Sequence, residues 1–182
     1  MKKIVIFILI LFVFFITNSR LAYCQTPDSS SVDTTFVLKV DYSKNLDQMI
    51  ADGNYNGKND YINEKNFSMA IKLTGKKNEE AKIFNFNKNI SSEEIIEKME
   101  NSCFRPATLP ELLALGESNP EIQISVVALG TICYISYENE KAEYVCNVPY
   151  LILDPNDNGK MLGMINTDGD WNKSFYFLAI HK

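Results

Sequence analysis

Residues 91–116 read SSEEIIEKMENSCFRPATLPELLALG, and this stretch decides the fold class. Ser91 or Ser92 can cap a helix in which Ile95, Ile96, Met99 and Cys103 recur on one face. Glu93, Glu94, Glu97, Lys98 and Glu100 take the opposite side, which reads as a solvated helix face rather than an acid/base centre. Thr108-Leu109-Pro110-Glu111 then forms a capping box with proline in the first turn. Leu112 and Leu113 face inward, and Gly116 is the expected stop.

Outward from this pair of helices the pattern changes to strands. Downstream, 124–129, 132–137, 144–153, 161–165 and 175–180 are β-type runs, and Asn158-Gly159 is a hairpin signal. Phe175 to Ile180 is apolar on both faces, as in an interior strand. Upstream, 36–40 is a compact strand, and Leu46 to Ile50 is a helical turn ended by Gly53. Two short strands, Ile71–Leu73 and Ile83–Phe86, are expected on either side of a charged turn at 75–80. Two helices followed by a mainly antiparallel sheet give an α+β domain.

The whole chain has 182 residues, 46% hydrophobic and 23% charged, so one domain with a true core fits its length. Lys2, Lys3 and an unbroken apolar run from Ile4 to Ile16 form an export signal, 1–24, too short to span a bilayer. Leu21-Ala22-Tyr23-Cys24 is also similar to a lipobox, so the readings are secretion, lipid anchoring at Cys24, and an uncleaved anchor, in that order. A polar linker covers 25–35 and the folded domain 36–182. Removing 1–24 takes away Lys2, Lys3 and Arg20 and no acid, so the formal charge of −5 becomes −8. An acidic domain of this kind repels nucleic acid and suits a neutral or cationic partner.

The element order resembles the two-helix core of C-type lectin-like domains over about 81–182. Val126 to Gly130 stands where that family has its first core strand after the helices, and Trp171-Asn172 is similar to the start of its Trp-Asn-Asp motif. The chain also resembles the related formylglycine-generating-enzyme fold, whose members open a helix with Arg-Leu-Pro-Thr. Arg105-Pro106-Ala107-Thr108 with Leu112-Leu113 is similar, more closely still, to short proteins of candidate-phylum bacteria. The resemblance implies a lectin-like scaffold. It does not carry over calcium-dependent sugar binding, because Lys173 replaces the motif's second aspartate.

Asp154, Asn156 and Asn158 match the first half of a calcium-loop pattern, and Asp52 to Gly57 makes the same half-match. Both match turn chemistry as well. Asp168 and Asp170, beside Trp171 and Asn172, make a candidate ligand surface in which an aromatic face and carboxylates would suit a sugar. His181 is the single histidine, and neither a paired CxxC, an HExxH nor a phosphate-binding glycine loop occurs, so catalysis and cofactors have little support. A two-residue turn at Asn139-Glu140 would place Cys133 opposite Cys146 in a non-hydrogen-bonded pair, within disulfide reach, and leave Cys103 an unpaired buried thiol. The functional expectation is an exported, non-catalytic binding module for a glycan or another surface ligand. The alternatives are a formylglycine-generating type of enzyme using that thiol pair, and a structural domain of a surface complex.

Overall fold

A computed structural model describes residues 35–67, 73–136, 144–153 and 159–182. Among these residues, nine strands form one sheet: β1 (Thr35–Asp41), β2 (Gly57–Lys58), β3 (Lys76–Phe84), β4 (Phe104–Pro106), β5 (Val126–Val127), β6 (Cys133–Ser136), β7 (Tyr144–Leu153), β8 (Lys160–Asn166) and β9 (Tyr176–His181). Three helices pack on it: α1 (Leu46–Gly53), α2 (Ser92–Asn101) and α3 (Leu109–Ser118). The order across the sheet is β1-β3-β9-β5-β7-β8-β2, with β4 also on β9 and β6 also on β7. Pairing is antiparallel except for β5 with β9 and β2 with β8. The fold is therefore α+β.

The sheet divides two hydrophobic clusters. Alternation in β9 shows the division: Leu178 and Ile180 join the cluster beneath α1 and α3, while Phe177 and Ala179 join the one beneath α2. Its central position explains the doubly apolar run. Leu46 and Met49 from α1 and Leu112 and Leu113 from α3 fill the first side; Ile95 and Met99 from α2 fill the second. Each such side chain, fully buried, contributes about 1.5–3 kcal/mol.

The helix starts follow the sequence. Ser91 caps α2, its Oγ accepting from the Glu94 N–H, and Thr108 and Glu111 form the capping box of α3. Gly116 does not stop α3, which runs two residues further. The Tyr55 hydroxyl lies 2.3 Å from where an ideal Cβ would stand, so any larger residue there would have to displace the Tyr55 ring.

Three strand expectations need correction. The charged stretch 76–80 is not a turn but the outer half of β3, whose exposed Lys and Glu side chains lie on a solvated ribbon with β1. The strand at 36–40 pairs with this charged β3, and of the strand expected at 71–73 Ile71 lies outside the described residues. The cysteine register is also offset by one: Cys133 faces Asn147, and Cys146 faces Tyr134. A one-residue offset turns side chains to opposite faces, so Cys133 and Cys146 are both free rather than bonded. Cys103 likewise does not continue the inner face of α2. It has a positive φ of 66°, is half-buried and is disulfide-bonded.

Candidate functional site

A groove of about 530 Å³ opens where the N-terminus of α2 meets the ends of β7 and β8. Ile96, Leu129, Ile132 and Val148 give it an apolar floor and wall. Ser91, Ser92 and Glu93 form one rim, and Thr167 to Asp170 forms the other. Cys146 lines the groove because the register turns it to the α2 side of the sheet, away from Cys133. Burial pushes the Cys133 thiol above its usual range, as expected of a thiol enclosed in the core.

The 167–171 loop is held by short local bonds. Thr167 donates its N–H to the Cys146 carbonyl at 3.0 Å, and Asp168 donates its N–H to Asn166 Oδ1 at 2.6 Å. Gly169 then takes φ of 92°, a left-handed conformation that favours glycine. Trp171 and Ile90 exchange backbone bonds of 2.8 and 3.0 Å, which ties the loop to the entrance of α2.

The four candidate ligand residues separate here. Asp168 and Asp170 are exposed and line the groove. Trp171 does not present a stacking face: it is 4% exposed, edge-on to Phe175 and Phe177 at 5.2 and 5.4 Å. Its indole N–H donates to Ser92 Oγ at 2.8 Å, so it supports the rim from behind. Asn172 is exposed but turned to a local task, its Oδ1 accepting from the Ser174 N–H and hydroxyl. Sequence reasoning missed Tyr134, 63% exposed and opposite Cys146 in register, and Ile132, 50% exposed. The alternation of β6 already set Tyr134 on the face opposite Cys133; it was Cys146 that the offset register put on the wrong face.

The other candidate chemistry is structural or lies elsewhere. Asp154, Asn156 and Asn158 lie outside the described residues. In the second half-match, Asp52 and Gly53 end α1, Asn54 is its left-handed cap, and the Asp52 carboxylate pairs with Lys44 at 2.5 Å. Among the described residues no group of three His, Cys, Asp or Glu is placed to hold a metal ion. His181 is exposed, with its ring edge-on to Phe104 at 5.3 Å.

The most saturated polar cluster surrounds Glu111. Arg105 reaches both carboxylate oxygens at 2.6 and 3.1 Å, the Tyr42 hydroxyl donates at 2.7 Å, and the Thr108 N–H donates at 2.6 Å. Burial raises the Glu111 carboxyl, yet the Arg105, Thr108 and Tyr42 bonds outweigh it and hold the group below the usual carboxylate range. Burial, with the bond to Glu111, pushes the Tyr42 phenol up. Lys160 is buried too; its ammonium donates to the Gly53 carbonyl at 2.9 Å and to the Gly116 carbonyl, satisfying the last turns of α1 and α3. Burial lowers its pKa.

A scan against protein-family models finds no match, and searches of the curated proteins and of the solved structures find none either.

Proposed function

We propose that the chain is an exported, non-catalytic binding module on a C-type lectin-like scaffold, and that the groove at the α2 N-terminus takes a glycan. The signal-like start at 1–24 and the polar linker at 25–35 support export. The observation that carries the binding role is the exposed apolar material at the groove. Of the four large hydrophobic side chains exposed among the described residues, Ile132 lines the groove and Tyr134 stands beside it, opposite the lining residue Cys146 in register. The groove size lies within the range of small-ligand sites. Hydroxyls of Ser91, Ser92 and Thr167 around an apolar floor match the alternation of polar edge and apolar face on a sugar ring.

The thiol-pair enzyme is the weaker reading, since Cys133 and Cys146 face opposite sides of the β6–β7 ribbon and cannot act together. Titration of the mature protein against immobilised glycans tests the binding role. Binding that falls at least tenfold in Ile132→Ser/Tyr134→Ala, with the melting temperature unchanged, is expected. Undiminished binding in that double variant overturns it.

A further inference from the structure

Cys103 stands at the join of α2 and β4, one residue past the Ser102 cap of the helix. Its φ of 66° is the left-handed conformation in which a helix end usually carries glycine. A cysteine kept at such a place serves through its side chain, and Cys103 is disulfide-bonded. The sequence contains four cysteines. Two of them, Cys133 in the core and Cys146 in the groove wall, are free thiols. One partner remains.

We infer that Cys103 is joined to Cys24, so that the mature chain keeps Cys24 and starts before it or at it. The inference rests on the export reading above, because the bond needs an oxidising compartment. The two thiols give up two protons and two electrons to the disulfide of an exchange oxidant, which leaves as a dithiol. Two consequences follow for the N-terminal segment. A signal cut after Cys24 would discard the partner, so the cut falls upstream of it. A lipid anchor at Cys24 is excluded, since one sulfur cannot be both a thioether and half of a disulfide.

The strand register shows that the linker can reach. Thr35 pairs with Lys82, Lys82 with Ala179 and Ala179 with Pro106, so Thr35 and Pro106 share one row across β1, β3, β9 and β4. Three strand spacings of about 4.8 Å separate them, and Cys103 lies three residues, about 10 Å, further along. The Lys182 N–H donates to the Cys103 carbonyl at 2.9 Å, which sets Cys103 just beyond the end of β9, as that count requires. Thr35 and Cys103 are therefore roughly 17 Å apart. The eleven-residue step from Cys24 to Thr35 extends to about 36 Å, twice what the bond needs. The polar linker is then fastened at both ends instead of serving as a free tether.

The full chain, expressed with its own N-terminus in an exporting host, is recovered outside the cytoplasm, alkylated without reductant and digested with a glutamate-specific protease. Cuts after Glu64, Glu100, Glu111, Glu121, Glu138 and Glu143 place the four cysteines on four different peptides. The expected result is alkylation of Cys133 and Cys146 alone, with the peptide 101–111 linked to the N-terminal peptide that carries Cys24. Cys24→Ser and Cys103→Ser should each give three alkylated thiols where the parent gives two; the first alters no described residue, so it leaves the packing intact. A mature chain beginning at Gln25, a lipid on Cys24, or Cys103 found alkylated or linked to another cysteine overturns the bond and leaves export standing. A chain confined to the cytoplasm overturns export instead. Treating that chain with oxidised glutathione then decides the bond separately: it stands if the same two peptides join and falls if they do not.

Discussion

The Glu111 cluster and the groove use the same side-chain chemistry to opposite ends. Glu111 is wholly buried, with every oxygen occupied by Arg105, Tyr42 or Thr108. Asp168, Asp170 and Glu93 are exposed and have no ion pair among the described residues. A buried carboxylate is tolerated only when its bonds replace those it had with water. Glu111 is thus committed to joining β4, α3 and the segment after β1. The groove acids contribute no ion pair to the fold among the described residues.

Trp171 offers the largest test of that contrast, because the sequence placed it on the recognition side and the structure places it among the supports. Trp171→Ala should cost about 4 kcal/mol in chemical denaturation, through the cavity left against Phe175 and Phe177. Retained stability with lost ligand binding would return Trp171 to the recognition side and break the comparison.

Glu111→Ala should cost about 3 kcal/mol, at the lower end for a broken buried pair because the Arg105 side chain is one-third exposed. The pH dependence has a definite sign. The folded carboxyl has a depressed pKa, so its stabilising contribution is present above the unfolded value of about 4.3 and is lost as pH falls through the folded value. Melting temperature should therefore drop more steeply below about pH 4 in the parent than in Glu111→Gln. Parallel curves would show that the cluster contributes no proton linkage.

Lys160→Met should cost about 1–2 kcal/mol, since the carbonyls of Gly53 and Gly116 lose a shared donor while the aliphatic stem is kept. Hydrogen exchange should quicken at the ends of α1 and α3 rather than in β9. A uniform quickening would mean that Lys160 holds the whole sheet rather than two helix ends.

What was legible in the sequence follows from how local each signal is. The start of α3 needs only Thr108, Pro110 and Glu111, all within one turn, and it formed as read. The central strand was legible because Phe177 to Ile180 must be buried on both faces whatever their neighbours are. Pairing partners are not local. Nothing in Phe36 to Val40 says that its neighbour is the charged run 76–80, and charge there argues for a turn until β1 and solvent are known to flank it. The site was half legible for the same reason. Asp168 and Asp170 lie in a loop that any reading exposes, but whether Trp171 points out or in depends on Phe175, Phe177 and Ser92, the last 79 positions away. A register offset of one residue put Cys146 on the wrong face and so separated it from Tyr134.

The smallest expected effect is the most discriminating. Neutralising two acids of the groove in Asp168→Asn/Asp170→Asn removes charges that no described residue compensates, so the fold loses no ion pair. The Asp168 backbone N–H still donates to Asn166 Oδ1, because that bond does not involve the changed side chain. Stability should therefore stay within about 0.5 kcal/mol of the parent, and any shift should be upward at low salt, where mutual repulsion among like charges is least screened. A loss of 2 kcal/mol or more in thermal or chemical denaturation would mean that these acids hold the loop, as Glu111 holds α3. The contrast between the acid that fastens the fold and the acids of the groove would then fail at the place where it matters most.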